Sequence, residues 1–145
     1  MSRLMMDEKQ IDDLTKLSRE EGFPIAFTGE LMERFAAQCR APSFYLFGEY
    51  CNDRLVSVGA LSVFYVFPCS DSPGGLIGHI SGVYTHPDYR RLGYSSVVMH
   101  EILEAGRDAG CDYVCLDSTA DELYRKLGFI DTPEGETRLW LPLNR

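Results

Sequence analysis

The segment from residue 76 to residue 109 constrains the fold of this chain more than any other part. Leu76–Thr85 has the composition of a β-strand, a loop runs from Pro87 to Gly93, and Ser95–Ala109 carries apolar residues at helical spacing. Unpaired N–H groups and the positive end of the helix dipole meet where such a helix begins. Gly93 allows close backbone approach, and Arg90 and Arg91 add positive charge. The sequence therefore predicts an anion site suited to a polyphosphate.

Spacing alone leaves an alternative, a solvated basic turn that merely precedes a helix. Two better-known phosphate loops are excluded. A Walker A loop needs a Gly-Lys-Ser/Thr ending, which this chain lacks. A dinucleotide fingerprint needs three spaced glycines, and a single glycine, Gly93, stands here.

The rest of the sequence surrounds this segment with strands and helices in a mixed order. Asp7 is suited to N-cap a first helix, and Leu4–Met6 is a candidate short first strand. A helical pattern that starts at Thr28 predicts a second helix, which Pro42 ends. The remaining elements are a hairpin (Ser43–Tyr50 and Leu55–Val66), a strand (Cys111–Leu116), a short helix (Asp121–Leu127) and a final strand pair (Phe129–Asp131 and Thr137–Leu143). This order predicts an α/β or α+β fold with one central sheet, and residues 1–145 are expected to form a single domain.

Composition and charge narrow the class of protein. The chain has 145 residues and a formal net charge of −8, which argues against a general nucleic-acid binder and favours cationic ligands. No apolar run reaches the length of a membrane span, and the first residues do not resemble a secretory signal. Five cysteines without a secretory signal argue against a disulfide framework, and their spacing gives no metal site. A cytoplasmic protein without metal or membrane attachment is expected. Cys115 is expected to be a small buried side chain, and a catalytic thiol is the alternative.

Two motifs carry a resemblance to a known family. Arg90-Arg91-Leu92-Gly93-Tyr94-Ser95 resembles motif A of the GNAT superfamily of acetyl-CoA-dependent N-acetyltransferases, whose signature is Arg/Gln-x-x-Gly-x-Gly/Ala. Arg90 and Gly93 match, and Ser95 replaces the final small residue. Ala120–Phe129, which ends in Leu-Tyr-Arg-Lys-Leu-Gly-Phe, resembles a late helix of the same family. The resemblance implies a central mixed, mostly antiparallel sheet of six to seven strands flanked by about four helices.

The resemblance also implies how acetyl-CoA is held. Backbone groups of the strand end take the acetyl carbonyl and the pantetheine arm, and the glycine loop takes the pyrophosphate. Many members place an Asn after the next strand to hold pantetheine; this chain has none, and Ser118 or Thr119 is the candidate substitute. The cofactor-binding residues implied are Val83, Tyr84, Thr85, Arg90, Arg91, Leu92, Gly93, Tyr94, Ser95 and Ser118.

The implied reaction is direct attack of an amine on the thioester, which needs an acid for the leaving thiolate and a base for the amine. Tyr124 stands where many family members place the general acid, and a packed helix aromatic is the alternative for it. Three side chains are candidate bases: His79, His86 and Asp117. His79 shares a strand face with Ser81. A chain of ordered waters is a further option. The sequence selects none of them.

The acceptor is expected to be a primary amine of a small molecule. The alternatives are a protein N-terminus or lysine as acceptor, and a non-catalytic acetyl-CoA-binding module. A homodimer is a family-level expectation. Acceptor choice is expected to depend on the two N-terminal helices, the Pro68–Gly75 loop and a set of aromatic residues. The alternative role of these aromatics is packing in the core or in a dimer. They are Phe44, Tyr45, Phe47, Tyr50, Phe64, Tyr65 and Phe67.

Overall fold

A computed structural model describes residues 3–25, 27–117, 121–131 and 138–143. In chain order its elements are α1 (Glu8–Leu17), α2 (Gly29–Gln38), β1 (Phe44–Cys51), β2 (Arg54–Tyr65), β3 (Leu76–Thr85), a 3-10 turn (Pro87–Tyr89), α3 (Tyr94–Ala109), β4 (Tyr113–Asp117), α4 (Asp121–Lys126), β5 (Ile130–Asp131) and β6 (Arg138–Pro142).

The strands form one mixed sheet in the order β1-β2-β3-β4-β6-β5. β3 and β4 are parallel, with Ile77 opposite Tyr113, because α3 carries the chain back across the sheet between them. β6 then lies antiparallel to both β4 and β5. The described residues therefore give six strands and four α-helices, which confirms the predicted fold class.

Local signals in the sequence set the helix and hairpin boundaries. Asp7 caps α1 in a reciprocal capping box with Gln10, and the Thr28 side chain caps α2. Asn52 and Asp53 both have positive φ, 48° and 65°, which is the backbone of a type I′ turn and matches the twist of a two-residue hairpin.

The predicted first strand at Leu4–Met6 is wrong in extent. Arg3 forms an isolated antiparallel bridge to Phe47, and the Leu4 N–H donates to the Leu46 carbonyl at 2.7 Å. Met6 has φ 61°, a left-handed conformation that cannot continue a strand, so the pairing stops there.

Two compact units can be distinguished within the chain. The first comprises Met1–Ala60 and Gly82–Ile102, and the second comprises Leu61–Ser81 and Leu103–Arg145. The core of the first unit packs α1 and α2 against β1 and β2 and includes Leu14, Leu17, Met32, Ala36, Phe44, Leu46, Leu55, Val58 and Tyr84. Buried apolar residues of the second unit include Leu61, Ile77, Ile80, Leu103, Val114, Leu116, Phe129 and Leu139. That residues 1–145 form a single domain stays a prediction.

All five cysteines are free thiols, and Cys115 is buried as predicted. Burial raises the pKa of Cys39 to about 12 and that of Cys111 to about 11, so both remain protonated and unreactive near neutral pH. Among the helices of the described ranges, none is long and apolar enough to cross a membrane.

Gly59 on β2 offers a test of how tightly the first unit is packed. A Cβ at this position would lie 2.9 Å from Val98 Cγ1 and 3.0 Å from Ile102 Cδ1, and both side chains are fully buried. Gly59→Ala should therefore reduce the free energy of unfolding by about 1–3 kcal/mol through overpacking. Gly29→Ala is the matched control, because a Cβ there meets nothing within 4 Å. Urea unfolding of both variants checks this, and equal midpoints would contradict it.

Candidate functional site

The N-terminus of α3 combines several features that favour an anion. Gly93 precedes the first helical residue, Tyr94, with φ 91°, and it has no side chain that could cap the helix. The first turn contains no acidic residue. The opening N–H groups of a helix have no intrahelical partners, so their positive potential here faces outward. A Cβ at Gly93 would meet nothing within 4 Å, so the approach to this turn is open.

Arg91 gives the loop its curvature. Its φ is 63°, a left-handed conformation that costs a non-glycine residue energy and turns the chain sharply just before Gly93. Arg91 and Leu92 are both exposed, Leu92 to 66%. The chain thus presents a basic, strongly curved loop immediately before the open helix end.

The end of β3 is tied down by Ser57 on β2. The Ser57 hydroxyl lies 2.8 Å from Thr85 Oγ1 and donates to the Tyr84 carbonyl at 3.3 Å. The Tyr84 ring is buried, and its hydroxyl donates to the Glu21 carbonyl at 2.6 Å. Tyr84 can therefore serve a ligand through its backbone, as the resemblance implies, while its side chain belongs to the core.

The parallel ladder between β3 and β4 is short. It covers Ile77, Gly78 and His79, and β3 continues from there to Thr85. Gly82, with φ 63°, interrupts the regular strand geometry just beyond the ladder. The predicted cofactor residues Val83–Thr85 thus lie past the paired stretch, where an extended ligand can hydrogen-bond to a strand edge.

Arg90 folds back over the end of β3. Its Nε donates to the Thr85 carbonyl at 3.0 Å, and its guanidinium carbon lies 5.6 Å from the centroid of the Tyr84 ring. Arg90 is exposed and lies four residues before α3 starts, so its charge adds to the positive potential of the loop.

His86 anchors the loop that leads to Gly93. The ring is 3% exposed, and its Nδ1 accepts the backbone N–H of Asp88 at 3.1 Å. Its Nε2 lies 3.1 Å from Glu20 Oε1 and 3.0 Å from Arg54 Nη2. Because Nδ1 accepts a hydrogen bond, the neutral ring carries its proton on Nε2 and donates it to Glu20. Both nitrogens are occupied, so the structure gives His86 a structural role rather than that of a base.

Aromatic rings continue this anchor toward the helix. The ring of His86 packs edge-on against Tyr89 at 5.3 Å, and Tyr89 packs against Tyr94 at 6.2 Å. The pKa of Tyr94 is raised, first through its hydrogen bond with Cys51. The loop that leads to Gly93 is therefore held in place by a row of packed rings.

The structure brings together two of the candidate bases in the second unit. His79 Nε2 lies 3.5 Å from Asp117 Oδ2. Both side chains are partly exposed, 33% for His79 and 59% for Asp117. In the same unit the Tyr124 ring is 8% exposed and packs edge-on against Phe129 at 6.0 Å. Burial raises the pKa of Tyr124, so its phenol stays protonated at physiological pH.

The predicted acceptor-determining aromatics differ in exposure. Phe44 and Phe47 are buried, as core residues should be, and Tyr45 and Tyr50 are partly buried. Phe64, Tyr65 and Phe67 are exposed, Phe67 to 95%. The Pro68–Gly75 loop is fixed by Asp112, whose Oδ2 accepts from the Ser72 hydroxyl at 2.8 Å and from the Gly74 N–H at 2.9 Å.

Ser118 and Thr119 lie outside the described residues, so the predicted pantetheine contact there stays a prediction. Sequence reasoning missed Glu20, Arg54 and Ser57, which support the loop from positions distant in the chain. No local pattern marks these three residues, because their role depends on tertiary contacts. A His-Pro pair just before a glycine loop was the available signal for an anchored turn.

Comparison with known proteins identifies the family. The model of the acetyltransferase (GNAT) family matches residues 9–129. A protein named uncharacterized N-acetyltransferase ycf52 from Porphyra purpurea is 37% identical over 79 residues, which cover 52% of this chain and 45% of that protein. A glucosamine 6-phosphate N-acetyltransferase from Trypanosoma brucei brucei is 40% identical over 58 residues, 39% of this chain and 40% of that protein. The chain thus spans less than half the length of these relatives.

Solved structures share the fold. An acetyltransferase from Trypanosoma brucei superposes with a TM-score of 0.70 at 25% identity, covering 88% of this chain and 90% of that one. A predicted acetyltransferase from Clostridium acetobutylicum, solved with acetyl-CoA, gives a TM-score of 0.67 at 22% identity, with 94% and 86% covered. An aminoglycoside 6′-N-acetyltransferase from Acinetobacter haemolyticus gives 0.72 at 15% identity, with 91% and 92% covered.

The anchoring role of His86 predicts a selective loss of binding. His86→Ala removes the acceptor for the Asp88 N–H and the contact with Glu20, so the loop before Gly93 loses its fixed shape. Acetyl-CoA binding should weaken by roughly 10-fold, the equivalent of about 1.4 kcal/mol. S-acetylpantetheine, which lacks the pyrophosphate, should be much less affected. Calorimetric titration with both compounds measures the difference.

His86→Asn is the matched variant, because asparagine is a strong capping residue and can still accept from the Asp88 N–H. It should recover part of the acetyl-CoA affinity. Equal weakening of both compounds in His86→Ala would instead show a general loss of structure.

Proposed function

This chain belongs to the acetyltransferase (GNAT) family, and we propose that it is an N-acetyltransferase. It transfers an acetyl group from acetyl-CoA to a primary amine of a small molecule by direct attack. Members of this family use acetyl-CoA. The observation that carries the proposal is the loop from Arg90 to Ser95, with its left-handed Arg91, its open Gly93 and a helix start without acidic residues.

This loop fits the pyrophosphate of acetyl-CoA. Backbone N–H groups at a helix start combine with arginine charge to favour a group that carries two negative phosphates. The edge of β3 at Val83–Thr85 suits the pantetheine arm, whose amides can pair with a strand edge. A small side chain at Ser95 preserves close approach at the position where the family signature has Gly or Ala.

Tyr124 is proposed as the general acid. Burial raises the pKa of its phenol, so the group stays protonated and can give its proton to a thiolate. Packing against Phe129 fixes the ring, so the packing role and the acid role are compatible.

The small-molecule acceptor is supported by two kinds of observation. The formal net charge of −8 attracts amines, and a matching relative is named for glucosamine 6-phosphate. A cytoplasmic location and a homodimer remain expectations from the sequence and the family.

A panel of acceptors tests the proposal. The purified protein is incubated with acetyl-CoA and one of four amines: glucosamine 6-phosphate, spermidine, kanamycin, or a peptide with a free N-terminus and a lysine. CoA release is followed with a thiol reagent. Release that depends on a small amine is the expected result. Release with the peptide alone would favour a protein acetyltransferase, and binding of acetyl-CoA without any release would favour a non-catalytic module.

Tyr124→Phe tests the acid assignment with the best acceptor of the panel. Loss of the phenolic proton should lower kcat by roughly 10²-fold, the usual contribution of a general acid, and leave acetyl-CoA binding intact. Because burial raises the pKa of Tyr124, wild-type kcat should not fall as the pH rises toward the reference phenol pKa of about 10. Steady-state kinetics from pH 6 to about pH 9.5 measures both effects.

Tyr113→Phe is the matched control, since Tyr113 also packs edge-on against a ring, that of Trp140 at 5.0 Å. It should leave kcat near the wild-type value. An unchanged kcat in Tyr124→Phe would reduce Tyr124 to a packing residue.

A further inference from the structure

We infer that His79 takes the proton from the acceptor ammonium and that Asp117 positions its ring. This inference rests on the proposed function, because it supplies the base that an amine acetyltransferase needs. The sequence left three side chains as candidates for this role, and the structure distinguishes among them.

The two side chains lie on one face of the sheet in the second unit. His79 is the register partner of Cys115, and Asp117 follows two residues later on β4. Side chains two residues apart on a strand share a face, so Asp117 lies on the same side as Cys115 and its partner His79. The distance of 3.5 Å between His79 Nε2 and Asp117 Oδ2 agrees with this register.

Position along the strands makes the pair accessible to a ligand. His79 is the last residue of β3 in the parallel ladder, and Asp117 is the last residue of β4. The exposed fractions, 33% for the His79 side chain and 59% for Asp117, leave both open to an incoming amine. Asp117 lies at the carboxyl end of β4, the position where ligands of parallel strands commonly bind, and His79 lies beside it.

The other two histidines of the chain are less suited. His86 is 3% exposed, and both its ring nitrogens are engaged, because Nδ1 accepts from the Asp88 N–H and Nε2 lies 3.1 Å from Glu20 Oε1. His100 is exposed and lies in the middle of α3, so it is not part of a strand. His79 therefore combines an exposed ring with a carboxylate partner.

The geometry assigns the two ring nitrogens different tasks. Nε2 faces Asp117, so its N–H points at the carboxylate, and Nδ1 is the atom that accepts the proton. The carboxylate stabilises the imidazolium that forms and holds the ring in one orientation. Among the described groups beside the pair, the Cys115 thiol points to the Gly78 carbonyl at 3.6 Å, and the backbone of Arg138 on β6 is the register partner of Asp117.

The proton balance closes with Tyr124 as the acid. The ammonium gives one proton to His79 Nδ1, and the freed lone pair forms the C–N bond to the acetyl carbon. The C–S bond breaks with its electron pair on sulfur, and sulfur takes the proton of Tyr124. The new amide nitrogen loses its second proton, which restores the Tyr124 phenol, and His79 releases its own proton to solvent. One proton is released per acetyl transfer.

The test compares His79→Gln with His100→Gln in the acceptor assay. His79→Gln should lower kcat/KM by about 10²–10⁴-fold, the range for loss of a general base. It should also abolish the decline of kcat/KM at acidic pH, and it should keep the rise in melting temperature caused by acetyl-CoA. His100→Gln should match the wild type in all three measurements. His79→Ala, assayed with added imidazole, is a second variant in which a free base should restore activity.

Asp117→Asn separates positioning from catalysis. It should lower kcat less than His79→Gln does, leave the KM of the amine unchanged and retain the acidic limb of the pH profile. A wild type that acetylates none of the amines contradicts the proposed function itself. An active wild type with unchanged kinetics in His79→Gln, or no imidazole rescue of His79→Ala, overturns the assignment of His79 and leaves the proposed function standing.

Discussion

The passage from β3 into α3 is the constraint on which the account of this chain depends. A strand held by Ser57 must end, turn within a few residues and deliver a helix whose first N–H groups are unobstructed. The turn is achieved by left-handed backbone at Arg91 and Gly93, and the strain is tolerated because buried His86 fixes the start of the loop. Electrostatic preference for an anion follows from this backbone path.

The contacts of His86 show how distant parts of the first unit support that path. Glu20 follows α1, Arg54 begins β2, and both reach the same imidazole nitrogen. The neighbouring Glu21 carbonyl accepts the hydroxyl of Tyr84, so two successive residues after α1 hold the end of β3. The segment after α1 therefore helps to fix the end of β3 and the start of the loop that follows it.

Local chemistry made much of this predictable from the sequence. The bounds of β3 were predicted as observed, since Pro87 cannot continue the strand, and α1 begins at its Asp7 capping box. The first strand was overpredicted because nothing in the sequence shows that Met6 is left-handed. The proximity of His79 and Asp117 depends on the register of a parallel ladder, and the burial of His86 depends on residues far away in the chain. Neither the proximity of His79 and Asp117 nor the burial of His86 can be predicted from the spacing of residues in the sequence.

Binding of acetyl-CoA tests the central claim most directly. Thermal unfolding is measured with and without acetyl-CoA, with ATP and NADH as control ligands. Acetyl-CoA at about 100 times its Kd should add ~2.7 kcal/mol of stability, which corresponds to a rise of roughly 5–10 °C for a chain of this size. Little or no rise is expected with the control ligands. An unchanged melting temperature at saturating acetyl-CoA would contradict the account and reduce the loop before α3 to an ordinary basic turn.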